Sequence, residues 1–365
     1  MRRALVLVVL ASACGTRPPP PPDTTTHAGA APGAAPRAPT ASSSAKVEEA
    51  APPLALRPGW TVIASAPRGN GIAVFESSDG SALLALEDAG RPGVAKRWFR
   101  ALARTIEPDP PLAKGLTAVR AFDARSPDNA VIAVEKDGGC EVRAWASGAM
   151  TAIGATTRAE GGCAILRAWT PGAAVVVTDA EPPRLVAFGK LQSAAPVLAP
   201  VGPKPCELRP QVALAWETGE LAVAGIDCEP AVWVEAFGPR AARPVSARLP
   251  LDYNVPLFGL ALPDGEMEFE GSGTLPKAPN DEVGVLQRMT FDGTQIKKGA
   301  AAPSPQHGEI LMSGAEAARD LATTDTSLVP VAAVRGGETI YFVGTRQSGR
   351  TVVLRNAPVD APLEL

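Results

Sequence analysis

From about Leu54 to the end of the chain, short apolar runs alternate with clusters of Gly, Pro, Asp and Ser, a spacing that predicts strands joined by tight turns. Ile72-Ala73-Val74-Phe75 and Leu83-Leu84-Ala85-Leu86 flank Ser77-Ser78-Asp79-Gly80-Ser81, and because Asp-Gly tolerates positive φ the pair reads as a hairpin. Val131–Val134 and Cys140–Trp145 flank Asp137-Gly138-Gly139 in the same way. Ala174–Val177 pairs with Leu185–Phe188, Leu221–Ala224 with Val232–Phe237, and Thr339–Val343 with Thr351–Leu354. Helical periodicity is scarce. Val94, Trp98 and Leu102 fall at i, i+4 and i+8 with Lys96, Arg97, Arg100 and Arg104 on other faces, which predicts an amphipathic helix over Val94–Arg104. Gly314–Ala322 is a second helical candidate.

Taking Gly71, Ala130, Ala173, Glu220 and Glu338 as unit starts gives spacings of 59, 43, 47 and 118 residues. The last gap leaves room for two weaker units, Phe258–Glu270 and Val283–Ile296. A period near 40 to 50 with several strands per unit resembles the blades of a β-propeller. Residues 57–365 are therefore expected to form an all-β, propeller-like ring of six or seven blades, with the strands near Trp60–Ala66 and Thr351–Leu354 completing one blade together. No Trp-Asp, kelch or Asp-box signature accompanies the period, so the likeness is to an architecture. Tandem β-sandwiches are the competing arrangement.

The N-terminus is different. Arg2 and Arg3 precede the apolar run Ala4–Leu10, too short to span a bilayer, and Ala11-Ser12-Ala13 leads into Cys14. This resembles the signal and lipobox of bacterial lipoproteins, with Ala11 in place of the usual leucine. The resemblance implies that residues 1–13 are a cleaved signal peptide and that Cys14 becomes a lipid-bearing first residue. With Gly15 rather than Asp following, the family's sorting habit points to the outer membrane. An ordinary secretory signal cut at Ala13 is the plainer alternative. Residues 14–56 then form a Pro/Ala-rich linker: Pro18–Pro22, Thr24–Thr26 and an Ala/Pro/Ser mixture hold too little apolar surface to fold. In polyproline II, at about 3.1 Å per residue, such a spacer reaches up to roughly 100 Å.

Composition narrows the partners. A net charge of -3 gives no footprint for nucleic acid and no polybasic segment for anionic lipid, so attachment to a membrane rests on the Cys14 lipid anchor. Four further cysteines in an exported chain predict disulfides. Cys206 and Cys228 lie nearly symmetrically about Thr218-Gly219, the expected turn of a hairpin, which pairs them and leaves Cys140 with Cys163. Zinc would need closer cysteine pairs, so no metal and no cofactor is expected.

Catalytic constellations are sparse. His27 and His307 are the two histidines, and neither a nucleophile elbow nor a phosphate loop is present. Glu266, Glu268 and Glu270 would share one face of a strand, about 6.6 Å apart, opposite Met267 and Phe269. That spacing suits a glycosidase carboxylate pair or a calcium site, and equally a half-exposed strand. An enzyme using it, with Asp281, Glu282 or His307, is the alternative reading. The leading one is a membrane-anchored envelope lipoprotein whose ring acts as a non-enzymatic binding or scaffold module for a protein or glycan partner. Trp145, Trp169, Trp216 and Trp233 are expected in the blade cores.

Overall fold

Among the described residues, six sheets, antiparallel except at one outer edge, succeed one another along the chain. The computed structural model describes residues 6–7, 53–189, 209–216, 218–226, 232–237, 245–249, 253–262, 265–275, 278–303, 315–316, 318–336 and 339–364. Blade one comprises Ile72–Glu76, Ala82–Asp88, Arg91–Ala101 and Ile106–Pro108. Blade two comprises Ala121–Ser126, Asn129–Lys136, Gly139–Ala146 and Ala149–Ala155. Blade three has Cys163–Ala168, Ala174–Thr178 and Leu185–Phe188, and blade four has Arg209–Ala215, Leu221–Ile226, Val232–Phe237 and Val245–Leu249. Tyr253–Ala261, Glu266–Leu275, Ala278–Phe291 and Ile296–Pro303 make blade five. The two weaker units expected between Glu220 and Glu338 are thus strands of one blade, whose long central hairpin spreads its apolar residues over two stretches of sequence.

Blade six closes the ring. Val329–Gly336, Thr339–Thr345 and Thr351–Arg355 pair in order, and the N-terminal strand Thr61–Ala66 adds antiparallel to Thr351–Arg355, from Thr61 opposite Arg355 to Ala66 opposite Thr351. The expected sharing of one blade by the two ends of the domain is what the structure has. Leu363–Glu364 lies parallel on the outside of that strand, and Val6–Leu7 runs antiparallel along the inner strand of blade five.

Blades one to four and blade six are covered on both sides, which explains why their strands read as continuous apolar runs. Side chains alternate across a strand. Leu83 and Ala85 therefore pack toward blade two with Phe122, Ala130 and Ile132, while their neighbours Leu84 and Leu86 pack toward blade six with Ile63, Tyr341 and Val353. Similar clusters join blades two and three, three and four, and four and five. The other side of blade six is covered by Leu54, Leu56 and Trp60 with Ala318, Leu321 and Ala322, and the described residues of the second helix expectation, 315–316 and 318–322, are helical. The first expectation does not hold. Val94–Arg104 belongs largely to the strand Arg91–Ala101, where adjacent Trp98 and Phe99 are buried on opposite faces, a two-residue period that no helix produces. The helical spacing of Val94, Trp98 and Leu102 is also an even spacing, and both neighbouring sheets supply apolar surface to a strand.

Candidate binding face

In every blade the first strand runs in the same sense, which gives the ring two unlike faces. One carries the turns between first and second strands. It repeats a local design: Ser77, Trp169, Trp216 and Leu262 each precede by three residues a glycine, Gly80, Gly172, Gly219 and Gly265, with φ between 77° and 97°. A residue with a Cβ is strained there, so glycine sets the turn. Ser77, Trp169, Trp216 and Leu262 donate their backbone N–H to Ser81, Ala173, Glu220 and Glu266 respectively.

The same face is tied together blade by blade. Tyr341 Oη donates to the Gly80 carbonyl at 2.9 Å, from blade six to blade one. Arg100 Nη1 donates to Pro127 O at 3.1 Å, from one to two, and its guanidinium sits 5.9 Å from the Phe122 ring. Burial holds that guanidinium below the usual arginine range, with Asp79, Glu107 and Asp128 opposing the shift. Trp169 Nε1 reaches Trp216 O at 3.1 Å, and the indole of Trp216 in turn reaches Leu262 O in blade five. Of the tryptophans expected in the cores, Trp169, Trp216 and Trp233 are buried and Trp145 is partly buried, and the indole N–H groups of Trp169 and Trp216 add a role that periodicity does not show.

Two residues on the inner strand of blade two join more than a pair. Asp123, fully buried, accepts from the N–H of Ser78 at 2.8 Å and from its hydroxyl, both in blade one, and from the N–H of Ala168 in blade three at 2.7 Å. Arg125 donates to Ala168 O at 2.8 Å and to Ala215 O, carrying a guanidinium past blade three to blade four at the turn-bearing end of the inner strands. This face is a polar girdle in which Asp123, Arg125 and the indole N–H groups tie blade to blade, although Arg100 Nε and Nη2 and Asn129 Oδ1 are buried there without a partner.

The opposite face carries the longer connections and the disulfide. Cys140 and Cys163 are bonded across a Cα–Cα distance of 5.8 Å, joining the third strand of blade two to the first strand of blade three. The connection 156–162 between them is held from both sides. Cys140 N donates to Thr156 Oγ1 at 2.9 Å, Thr156 Oγ1 donates to Gly161 O at 2.7 Å, and Gly162 N donates to Asp179 Oδ1 at 2.6 Å. A Cβ on Gly161 would lie 2.6 Å from that carboxylate oxygen, so the glycine is what lets the connection approach it. The Thr157 N–H, and then its hydroxyl, hold the Glu160 carboxyl below the usual range. Thr157 and Arg158 are left exposed on a fixed loop, with Arg158 lying over Gly138. At the start of blade six, Val329 and Val331 are exposed at 58% and 59%.

The glutamate strip is placed as alternation requires. Met267 and Phe269 enter the core with blade four, while Glu266 and Glu268 occupy the other side of the strand and the Glu270 backbone pairs with Leu286. Glu268 is buried, and Arg288 donates Nε to it at 3.0 Å with Nη2 bonded to the same oxygen. The pair holds Arg288 above the usual arginine range. One oxygen of that carboxylate is thus held in an ion pair. Asp281 and Glu282 lie farther along the hairpin, with Glu282 opposite Thr274. Cys14, Cys206, Cys228, His27 and His307 fall outside the described residues. Among the described residues, no group of three or more His, Cys, Asp or Glu is placed to hold a metal ion, and no helix is long and apolar enough to cross a membrane.

No protein-family model matches the chain, and no curated protein matches it in sequence. Solved structures similar to it include YCF48 bound to D1 peptide, at 12% identity and a TM-score of 0.40 over 83% of this chain and 98% of that one. A protein of unknown function from Dyadobacter fermentans DSM 18053 gives 12% identity and a TM-score of 0.38 over 82% and 99%. The fucose-specific lectin from Aleuria aurantia gives 13% identity and a TM-score of 0.35 over 66% and 80%. The ring itself rests on the sheets and pairings described above.

Proposed function

We propose that the chain is an exported lipoprotein of the cell envelope, anchored through Cys14, whose ring is a non-enzymatic module that binds a protein or glycan through the disulfide-bearing face. In this reading residues 1–13 are the signal, 14–56 the spacer and 57–365 the binding domain, and the outer membrane is its location. Removing the signal would also free the inner edge of blade five from Val6–Leu7. The observation that carries the binding role is the contrast between faces. One uses its polar groups to tie blades together, whereas the other fixes its connections by a disulfide and short hydrogen bonds and leaves side chains such as Arg158 outward, the arrangement expected of loops that recognise a partner.

The test is site-specific photocrosslinking in intact envelopes, with the reactive group placed at Arg158 on the loop-bearing face or at Asp128 on the girdle face. Adducts from position 158 alone are expected, and adducts from position 128 alone would reverse the assignment. Cys14→Ser should shift the protein from the membrane to the soluble fraction. The enzymatic alternative predicts turnover of a glycan or ester that Glu268→Gln abolishes. The Glu268–Arg288 ion pair argues against that outcome.

A further inference from the structure

We propose that the closing blade carries a phosphate-binding site on the loop-bearing face, built from Arg68, Ser348 and Arg350. Two segments meet there. The connection that leaves the N-terminal strand passes through Arg68-Gly69-Asn70-Gly71, and the hairpin of the C-terminal strands turns at Arg346-Gln347-Ser348-Gly349-Arg350. They are docked to one another. Thr351 Oγ1 donates to Asn70 O at 2.8 Å, and the Arg68 side chain lies over Gly349, its Nε 3.2 Å from where a Cβ would be. Gly349 has φ of +82°, which closes the turn through Arg346 N to Arg350 O and Gly349 N to Arg346 O, each 2.8 Å.

The donors here are poorly matched. Arg350 spends Nε and Nη2 together on the single neutral hydroxyl of Ser65, at 3.3 and 3.2 Å, although that edge of a guanidinium is shaped for two oxygens of an anion. Arg68 is exposed and has no hydrogen bond or ion pair among the described residues. Ser348 Oγ is buried without a partner. Of the carboxylates nearby, Glu87 accepts from Gly93 N through Oε1 while its Oε2 lies by Gly71, Asp325 accepts from Ser327 while lying in electrostatic range of Arg346, and the Glu364 backbone pairs beside Ser65. A phosphate group presents several oxygens in different directions, so it can take the Arg350 fork, the Arg68 guanidinium and the Ser348 hydroxyl at once. The chain carries a net charge of -3, so this is a local concentration of positive charge and not a general one. An anion held by both segments would also brace the joint where the two ends of the ring meet.

Thermal unfolding of the full chain in sodium phosphate, against sodium chloride of equal ionic strength, tests the site. Phosphate should raise the melting temperature saturably, by about 2–3 °C at tenfold the dissociation constant. Arg68→Gln, at an exposed side chain outside the core, should weaken binding roughly tenfold, and Arg68→Gln with Arg350→Gln should abolish the rise. Glycerol 3-phosphate serves as a second probe. Stabilisation by it assigns a phosphomonoester such as a lipid headgroup as the source, whereas stabilisation by inorganic phosphate alone assigns the free ion. No rise over chloride with either probe, or an equal rise in the double variant, overturns the proposal.

Discussion

Asp123 shows how one side chain can hold three sheets. Its two oxygens receive backbone or hydroxyl donors from blades one and three while its own strand belongs to blade two. An Asp123→Ala variant strands the Ser78 and Ala168 N–H groups in a site too buried for water to replace the carboxylate. At about 1–3 kcal/mol for each orphaned donor, the expected loss is about 3 kcal/mol. Trp169→Phe, which removes one indole donor and keeps most of the ring, should cost about 1 kcal/mol. Guanidinium chloride midpoints measured for both variants check the order, and an Asp123→Ala protein as stable as the parent would mean that the three-blade junction contributes nothing. No pattern of neighbours marks Asp123 in the sequence, since an aspartate inside an apolar strand also suits a functional pocket.

At the scale of elements, the strands were legible because most of them are packed between two layers. Burial on both faces leaves continuous apolar runs, and turns need Gly, Asp or Ser at their tips, so all five hairpins read from the sequence are present. Val94–Arg104 misled because a four-residue spacing is common to both helical and even-numbered strand patterns, and only the partner surfaces choose between them. The repeated turn at Ser77, Trp169, Trp216 and Leu262 was readable in principle, but it needs the glycine three residues later to be recognised as a fixed offset. The Cys140–Cys163 bond joins two of these elements across 23 residues of sequence. Cys140→Ser with Cys163→Ser should destabilise the domain by about 3 kcal/mol in the chain-entropy account. Its effect should fall first on the 156–162 connection, detectable as faster hydrogen exchange there than in the girdle. Uniform exchange across both faces would show that the bond does not fix that loop.

For the whole molecule, stability should depend on acidity in a defined direction. Asp292 is held well below the usual carboxylate range by the Thr294 hydroxyl, then by the N–H groups of Thr294 and Gln295. The Ser327 hydroxyl lowers Asp325, and Lys136 followed by Arg143 lowers Glu141. In each case the unfolded chain holds its proton more tightly than the folded one. The stabilisation is therefore present above the unfolded value near pH 4 and is lost as pH falls toward the folded values. The unfolding midpoint should drop between about pH 5 and pH 3, and Asp292→Asn with Asp325→Asn should flatten that slope. A midpoint that rises on acidification would contradict the sign.

By itself the sequence determined what local chemistry dictates: a short apolar run before Cys14, a Pro/Ala-rich stretch after it, strands with their turns, and a spacing that suits blades. Those properties depend on residues close together in the chain. The tertiary structure alone decided that the described residues form six blades, that Thr61–Ala66 completes the sixth, that Glu268 is paired with Arg288, and that one face ties blades together while the other presents loops. Each of these joins residues far apart in sequence, and the Tyr341 to Gly80 and Arg125 to Ala215 bonds exist only because ring closure brings their blades together. Local pattern measures how a segment buries itself, and has no term for which segment buries it.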